Sequence, residues 1–447
     1  MLDNTNDLDR LADLIAKATA AGADAADAMQ VRATSLDASW RMGKNEGVER
    51  SEASGLGLRV LVGVRQAVVS TTDLAESALA ELVERGIAMA RAVPEDPNCG
   101  LADPDLLATA IPDLDLADAT EPDSAALLAL AAEAEDAARG VDGITNSEGA
   151  EMSWGQSTVA LANSDGFAGG FAGTRFTVVA SVVAGTDTGM ERDYEYHTAR
   201  HLADLDSPAD IGRQAGERAV SRLNPRKQKS GQYPVIFDPR VSGGFLRLLA
   251  MSISGNAIVR GTSFLHDKID TQLFADGVTV IDDPLRVRGL SSRPFDGEAV
   301  TCRPMTVIED GRLATWILDS RSARQLELAT TGHASRGPSS SPSPSPSNLY
   351  MAPGADSRET MIGAIDSGFY VTEMMGMSFN SNTGDYSRGA AGFWIENGEL
   401  TYPVSEMTVA GNLLEMFPQM TPASDLTFRF GTDVPTLRVD GLTVAGL

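Results

Sequence analysis

Cysteine is nearly absent: Cys99 and Cys302 are the only two in 447 residues. A disulfide framework is therefore excluded as the basis of the fold, and a reducing compartment fits. Histidine is scarce too. His197, His201, His266 and His333 are the whole supply, so a metal site has few imidazoles to draw on. No run approaches the roughly 18 apolar residues of a membrane-spanning helix. The opening decapeptide MLDNTNDLDR is polar and acidic, without the basic and apolar regions of a signal peptide, so a cytoplasmic protein is expected. Basic side chains are in deficit: 36 Lys and Arg face 62 Asp and Glu, for a net charge of −26. Such a chain repels a phosphate backbone, which disfavours broad nucleic-acid binding. The densest basic run, RLNPRKQKSG from Arg222 to Gly231, reads as a solvated interdomain linker.

What is present is a chain long enough for two or three domains. Leu8, Leu11, Leu14 and Ile15 repeat at helical spacing, with Gly22 as a stop. Strand-like segments follow from residue 27 to about 73, then a helix over about Leu74 to Ala92. Residues 93–123 read as loop and linker, and residues 124–139 as a helix ended by Gly140. The dipeptides Asp165-Gly166, Asp310-Gly311 and Asn397-Gly398 each sit between strand-like flanks. They supply the positive φ angles of tight hairpin turns. A further helix begins near Ser207, a candidate cap, with Pro208 in its first turn and Asn224-Pro225 as its end. The tract GPSSSPSPSPSN, Gly337 to Asn348, is incompatible with helix and suits polyproline II or irregular loop. The expectation is an α+β protein: an N-terminal α/β region over 1–118, a central α+β region over 119–228, and a C-terminal domain over 229–447 dominated by antiparallel sheet.

The usual catalytic motifs are missing. There is no HExxH, no GxSxG and no GxxxxGK[ST]. GLGLRV, Gly55 to Val60, half-matches a nucleotide loop, but Val60 replaces the third glycine and no helix follows. A hairpin whose glycines allow close packing is the better reading. His197 and His201 are spaced HxxxH, with Thr198 where a catalytic Glu would stand. The neighbouring tyrosines alternate as in a strand, which would separate the two rings by about 13 Å. Two surface histidines are expected there. Cys302 lies in a strand-like run and reads as a buried inert thiol.

Several stretches taken in order resemble one family, the TldD/PmbA proteins. SEASGLGLRVLVGVRQAVVSTTDL resembles the family's opening hairpin, and RDYEY followed by IGRQAGERAVSRLNPRK its central domain. YPVIFDPRVSGGFLRLLAMSISGNAIVRGTSFL and TGDYSRGAAGFWIENGELTYPVSEMTVAGNLLEMF resemble its C-terminal domain. The family has two branches. TldD-type members carry HExxxH on the helix after the first C-terminal strand, completed by a later Cys, as a zinc site. Laid on this sequence, that motif falls on AMSISG. Ala250 and Gly255 occupy the His positions and Met251 the Glu position, and no Cys follows GNLLEMF. None of these side chains can hold zinc or move a proton at neutral pH. Ligands five apart stand about 140° apart on a regular helix, so the motif needs a widened or broken turn. Ser252, Ser254 and Gly255 weaken the helix there.

The chain thus resembles the PmbA branch, also called TldE. That resemblance implies the metal-free subunit of a cytoplasmic zinc peptidase acting on unfolded or extended peptides. No cofactor is expected in this chain. Zinc is expected in a TldD-type partner forming a heterodimer with it, and a homodimer is the alternative when the chain is alone. Candidate peptide-binding residues are Ser254, Asn256 and Arg260 beside the vestigial motif, and Asn380, Asp385, Tyr386 and Arg388 in the loop NSNTGDYSRG. The rivals are a peptidase active by itself through an unconventional metal site at His197, His201 and nearby acids, and a non-catalytic peptide-binding scaffold.

Overall fold

A computed structural model of the chain describes residues 5–446. Its first half is built on one long sheet. Helix α1 (Thr5–Ala20) leads into β1 (Ala25–Arg41), β2 (Lys44–Val62) and β3 (Arg65–Thr71), followed by α2 (Glu76–Ala92). After an extended connection come α3 (Ser124–Arg139), β4 (Ile144–Asn163), β5 (Ala168–Ala184), β6 (Glu191–Ala199) and α4 (Pro208–Ser221). The strand order is β3-β2-β1-β4-β5-β6, all antiparallel. The expected boundary near residue 118 therefore falls in a connection, while the sheet itself runs on through the β1–β4 pairing.

Side-chain alternation decides what each face of this sheet covers. Even-numbered positions such as Ala26, Ala28 and Ala162 pack under α1 and α2 at one end. Leu36, Ala38, Met152, Trp154 and Phe176, also even-numbered, pack under α3 and α4 at the other. Odd-numbered Met29 and Leu161 face the opposite way and meet Phe295 and Ala299 of the C-terminal half. Leu11, Leu14 and Ile15 are buried as their spacing requires. Asp123 caps α3 by accepting from the Ala126 N–H at 2.7 Å. Ser207 stands at the cap position of α4, yet its side chain makes no cap bond; Pro208 and Asp210 provide the first-turn features.

The C-terminal half opens with β7 (Gly231–Phe237), α5 (Pro239–Ser252) and α6 (Gly255–Val259). Short pieces follow: β8 (Val280–Asp282), β9 (Met305–Glu309), β10 (Arg312–Leu313), α7 (Ser320–Gln325), β11 (Ala334–Ser335), β12 (Ser343–Pro344) and β13 (Leu349–Met351). Longer strands return with β14 (Ser367–Phe379), β15 (Asp385–Glu396) and β16 (Glu399–Asn412), then β17 (Met420–Pro422), β18 (Thr432–Asp433) and β19 (Leu437–Ala445). One sheet runs β16-β15-β14-β7-β19-β17 and a second β10-β9-β8-β13-β18. Pairing is antiparallel except for β7–β14 and β13–β18. The turns Asp310-Gly311 and Asn397-Gly398 both take positive φ at both residues, as their composition predicts. The fold is α+β with a β-rich C-terminal region. Among the described residues, no helix is long and apolar enough to cross a membrane.

One expectation about the connecting segments needs correction. The basic run after α4 is not simply solvated. Arg222 is largely buried in ion pairs to Asp193 and Glu373, and Arg226 lies 4.2 Å over the Tyr402 ring. The Pro/Ser tract is irregular loop, as its composition predicts, apart from the two residues of β12. It lies on the first sheet, where the carbonyl of Pro338 occupies the space a Cβ on Gly57 would need, at 1.8 Å. The glycine of GLGLRV is there for close packing, and the tract is what packs against it. Ser347 and Asn348 anchor its far end, with Ser347 N–H donating to Asp282 at 2.7 Å.

Candidate functional site

Helix α5 is fixed at its start and broken at its end. Asp238 accepts from the Arg240 N–H at 3.0 Å and from the Tyr370 hydroxyl at 2.7 Å, and Pro239 sets the first turn. Phe245, Leu246, Leu248 and Leu249 are buried in the C-terminal core. Each such side chain stabilises the fold by about 1.5–3 kcal/mol relative to exposure. The helix stops at Ser252, whose hydroxyl turns back onto the Leu248 carbonyl at 2.8 Å. Ile253 and Ser254 leave helical geometry, and α6 restarts at Gly255. The backbone groups freed at the break are satisfied from a distant segment. Ile317 N–H donates to the Ile253 carbonyl at 3.1 Å, and Gly255 N–H donates to the Ile317 carbonyl at 2.8 Å. The broken turn that the sequence implies is therefore present and held by backbone pairing.

The side chains at the break do not fit zinc. Ala250 is buried and offers a methyl group, while Met251 is 56% exposed and points away from the core. At Gly255 there is no room for any side chain. A Cβ there would lie 2.3 Å from Ser322 Oγ, 2.6 Å from Ser322 Cβ and 2.9 Å from Leu318 Cδ2. Among the described residues, no three His, Cys, Asp or Glu side chains converge as a metal set anywhere. His197 and His201 turn to different segments. His197 Nδ1 accepts from the Asp206 N–H at 2.9 Å, and His201 Nε2 lies 2.9 Å from the Asp115 carbonyl. Neither ring is on the surface as expected: their side chains are 12% and 13% exposed. Burial, and then Arg429, lower the pKa of His197. Cys302 is buried, and burial pushes its thiol up to about 12.

The turn at 380–384, between β14 and β15, comes beside the segment that follows α6. Phe264, just beyond α6, donates its N–H to the Ser381 carbonyl at 2.8 Å, and its ring meets Phe379 at 6.1 Å. Ser254 and Asn256 are half-buried at the start of α6, and Arg260 is exposed at its end, its Nε donating to the Asn256 carbonyl at 3.1 Å. Asn380 and Asp385 are exposed. Asn380 accepts from the Asn382 N–H, and Asp385 accepts from Thr383 at 2.6 Å and Asn412 at 3.0 Å, which lowers its pKa. Tyr386 corrects an expectation. Its ring is buried against Phe245 at 5.6 Å, and burial raises the pKa of its hydroxyl, so it is core and offers no face to a peptide. Arg388 lies apart from the break, over the first half of α5 in a polar cleft.

Two buried polar clusters escaped the sequence reading. Asp27 of β1 holds Arg59 of β2 through Nε at 2.9 Å and Arg336 at 2.6 Å, and Glu298 lies 3.8 Å from Arg59. This ion network joins the first sheet to the C-terminal half. Burial raises the Glu298 carboxyl to about 7 against the pull of Arg59, with Asp296 adding to the rise. Asp282 receives His333 Nε2 at 3.0 Å and the Ser347 hydroxyl at 2.5 Å. Burial opposes its charge, but these hydrogen bonds and the histidine hold its pKa down. Both clusters are sealed from solvent and read as structural.

Comparison with known proteins covers the chain in three consecutive pieces. Residues 26–90 match domain 1, residues 116–223 the central domain and residues 230–446 the C-terminal domain of the PmbA/TldA metallopeptidases. The metalloprotease PmbA of Escherichia coli O157:H7 is 37% identical over 95% of this chain and 92% of that protein. A PmbA homologue from Haemophilus influenzae is 36% identical over 96% of this chain and 94% of its own. The crystal structure of TldE from Thermococcus kodakarensis superposes with a TM-score of 0.87, covering 98% of this chain and all of that one at 21% identity, and so shares the fold.

Proposed function

This chain belongs to the PmbA/TldD metallopeptidase family, and we propose that within it the chain is the subunit that leaves metal chemistry to a partner. Its role is to complete a cytoplasmic peptidase with a TldD-type subunit, supplying association surface and part of the chamber that receives unfolded or extended peptide. Zinc belongs to the partner, where it would activate water and polarise the scissile carbonyl. The observation that carries this reading is the break between α5 and α6. The backbone geometry suited to ligands five residues apart is kept, yet its positions hold Ala250, Met251 and a Gly255 with no space for a side chain. Asn256 and Arg260, together with Asn380 and Asp385 across Phe264, are the polar groups that would face the peptide.

The test is reconstitution. The purified chain is assayed for zinc by mass spectrometry and for hydrolysis of unfolded casein, alone and with a TldD-type subunit, with and without chelator. Zinc far below one per chain, no hydrolysis alone, and chelator-sensitive hydrolysis in the mixture are the expected results. Stoichiometric zinc in the isolated chain that disappears in His197→Ala would overturn the reading in favour of a metal site of its own. Hydrolysis by the partner that is indifferent to this chain would reduce it to a scaffold.

A further inference from the structure

We propose that a cleft where β6 meets α5, β14 and β15 binds a peptide carboxylate through the guanidinium groups of Arg247 and Arg388. The proposal rests on the peptidase reading only for the class of ligand.

The cleft encloses about 300 Å³ and is lined by five arginines, Arg192, Arg222, Arg240, Arg247 and Arg388, in a chain whose net charge is −26. Three of the five are neutralised by neighbours. Arg192 pairs with Glu148 at 2.9 Å. Arg222 pairs with Asp193 at 3.3 Å and with Glu373. Arg240 pairs with Asp193 at 3.0 Å, donates to the Tyr194 carbonyl at 2.9 Å and lies 4.8 Å over the Tyr194 ring. Among the described residues, the remaining two pair with no carboxylate. Arg388 donates to backbone carbonyls, through Nε to Gly376 at 2.8 Å and Nη2 to Met374 at 3.4 Å, and its guanidinium also interacts with the neutral Tyr386 hydroxyl. Those bonds fix its plane and leave Nη1 over Gly244, 3.8 Å from where a Cβ there would stand. Arg247 is exposed, and its Nη1 lies 3.6 Å from the corresponding point on Gly243.

The chemistry follows from this arrangement. Two uncompensated cations stand over adjacent glycines of one rigid helix and open into one cleft. Acidic neighbours that could have quenched them are already taken by Arg222 and Arg240. A carboxylate carries two oxygens that match the fork of a guanidinium, and it gains most where the cation is held in place beforehand. An unfolded peptide offers such a group at its chain end and on each Asp or Glu, and the two sources are separable by experiment.

Three fluorescently labelled dodecapeptides of Gly, Ser and Ala serve as probes, and binding to the isolated full chain is read by anisotropy. One has a free C-terminal carboxylate, one is C-terminally amidated, and one is amidated with a single central Glu. At least one carboxylate-bearing peptide is expected to bind roughly tenfold or more tightly than the carboxylate-free one. Preference for the first assigns the chain terminus, and preference for the third assigns an acidic side chain. Arg247→Ala and Arg247→Glu should remove the preference with unchanged thermal melts, because that side chain is exposed and its interaction with the Tyr196 hydroxyl is a long-range electrostatic one. Equal binding of all three, no binding of any, or a preference that survives both variants overturns the proposal. Because no partner or zinc is present, failure here is distinct from failure of the reconstituted peptidase.

Discussion

The statement that Gly255 has no room for a side chain can be tested by adding the smallest one. In Gly255→Ala the new Cβ would be placed 2.3 Å from Ser322 Oγ and 2.6 Å from Ser322 Cβ. Rotating the Ser322 hydroxyl relieves the first contact but not the second, so α7 or the α5–α6 break must move. Overpacking of this kind costs about 1–3 kcal/mol. Ser322 also completes the cap of α7: its N–H donates to Asp319 at 2.8 Å, while its hydroxyl oxygen accepts from the Asp319 N–H at 3.2 Å. Displacing it forfeits about 1 kcal/mol more. The total loss should be about 2–4 kcal/mol, read as a lower urea midpoint by far-UV ellipticity and tryptophan fluorescence. Ser322→Gly removes both offending atoms. In a double-mutant cycle it should recover more than about 1 kcal/mol of the Gly255→Ala loss, beyond its own cost. A Gly255→Ala protein within about 0.5 kcal/mol of the parent, or a cycle with no coupling, would refute the packing argument. The exclusion of a ligand at that position would fall with it.

Two further predictions concern the network between the halves. The folded Glu298 carboxyl titrates near 7 against an ordinary 4.5, chiefly through burial, so the native chain keeps a proton the unfolded chain has released. Its contribution is complete below pH 4.5 and is lost as pH rises through about 7, up to about 3 kcal/mol. Urea stability measured from pH 4.5 to 8 should therefore fall more steeply in the native protein than in Glu298→Gln; equal slopes would remove Glu298 as the cause. Asp27→Asn strips the shared carboxylate from Arg59 and Arg336 and should cost about 3–5 kcal/mol. It should also speed protease cleavage within residues 337–348, which lie on the sheet beside that pair; an unchanged cleavage rate would show that the ion network does not hold the tract.

Local features of the sequence were legible where the physics is local. The spacing of Leu11, Leu14 and Ile15, the Asp310-Gly311 and Asn397-Gly398 turns, and Gly140 at the end of α3 each depend on a few neighbouring residues, and each appears as expected; at Asp165-Gly166 only the glycine takes positive φ. The weakness of the helix at Ser252 to Gly255 was readable for the same reason. What holds the break open was not, because Ile317 lies more than sixty positions away and pairs through backbone that any residue carries. Tyr386 was misplaced because an aromatic in a polar loop sequence looks available, whereas its neighbour in space is Phe245 on a helix far upstream. The ions Asp27, Arg59, Glu298 and Arg336 gave no local signal at all. Buried charges are written in sequence like surface ones, and only the meeting of two halves of the chain makes them a unit.

The same contrast explains how a metal motif could be absent without loss of the frame that suits it. In a zinc-bound helix, ligand bonds themselves can stabilise an irregular turn. Here the turn is stabilised by two backbone hydrogen bonds to Ile317 and by Ser322 and Leu318 filling the space at Gly255. Those contacts need no side chain on α5 or α6 at the motif positions, so Ala250, Met251 and Gly255 are free of any ligating duty in folding. They also act against reversal. Writing His, Glu and His at 250, 251 and 255 would direct the last ring into Ser322 and Leu318, and the clash would unseat the Ile317 pairing that keeps the turn open. Restoring ligands alone therefore cannot rebuild a metal site in this chain; the α7 cap would have to be redesigned with them.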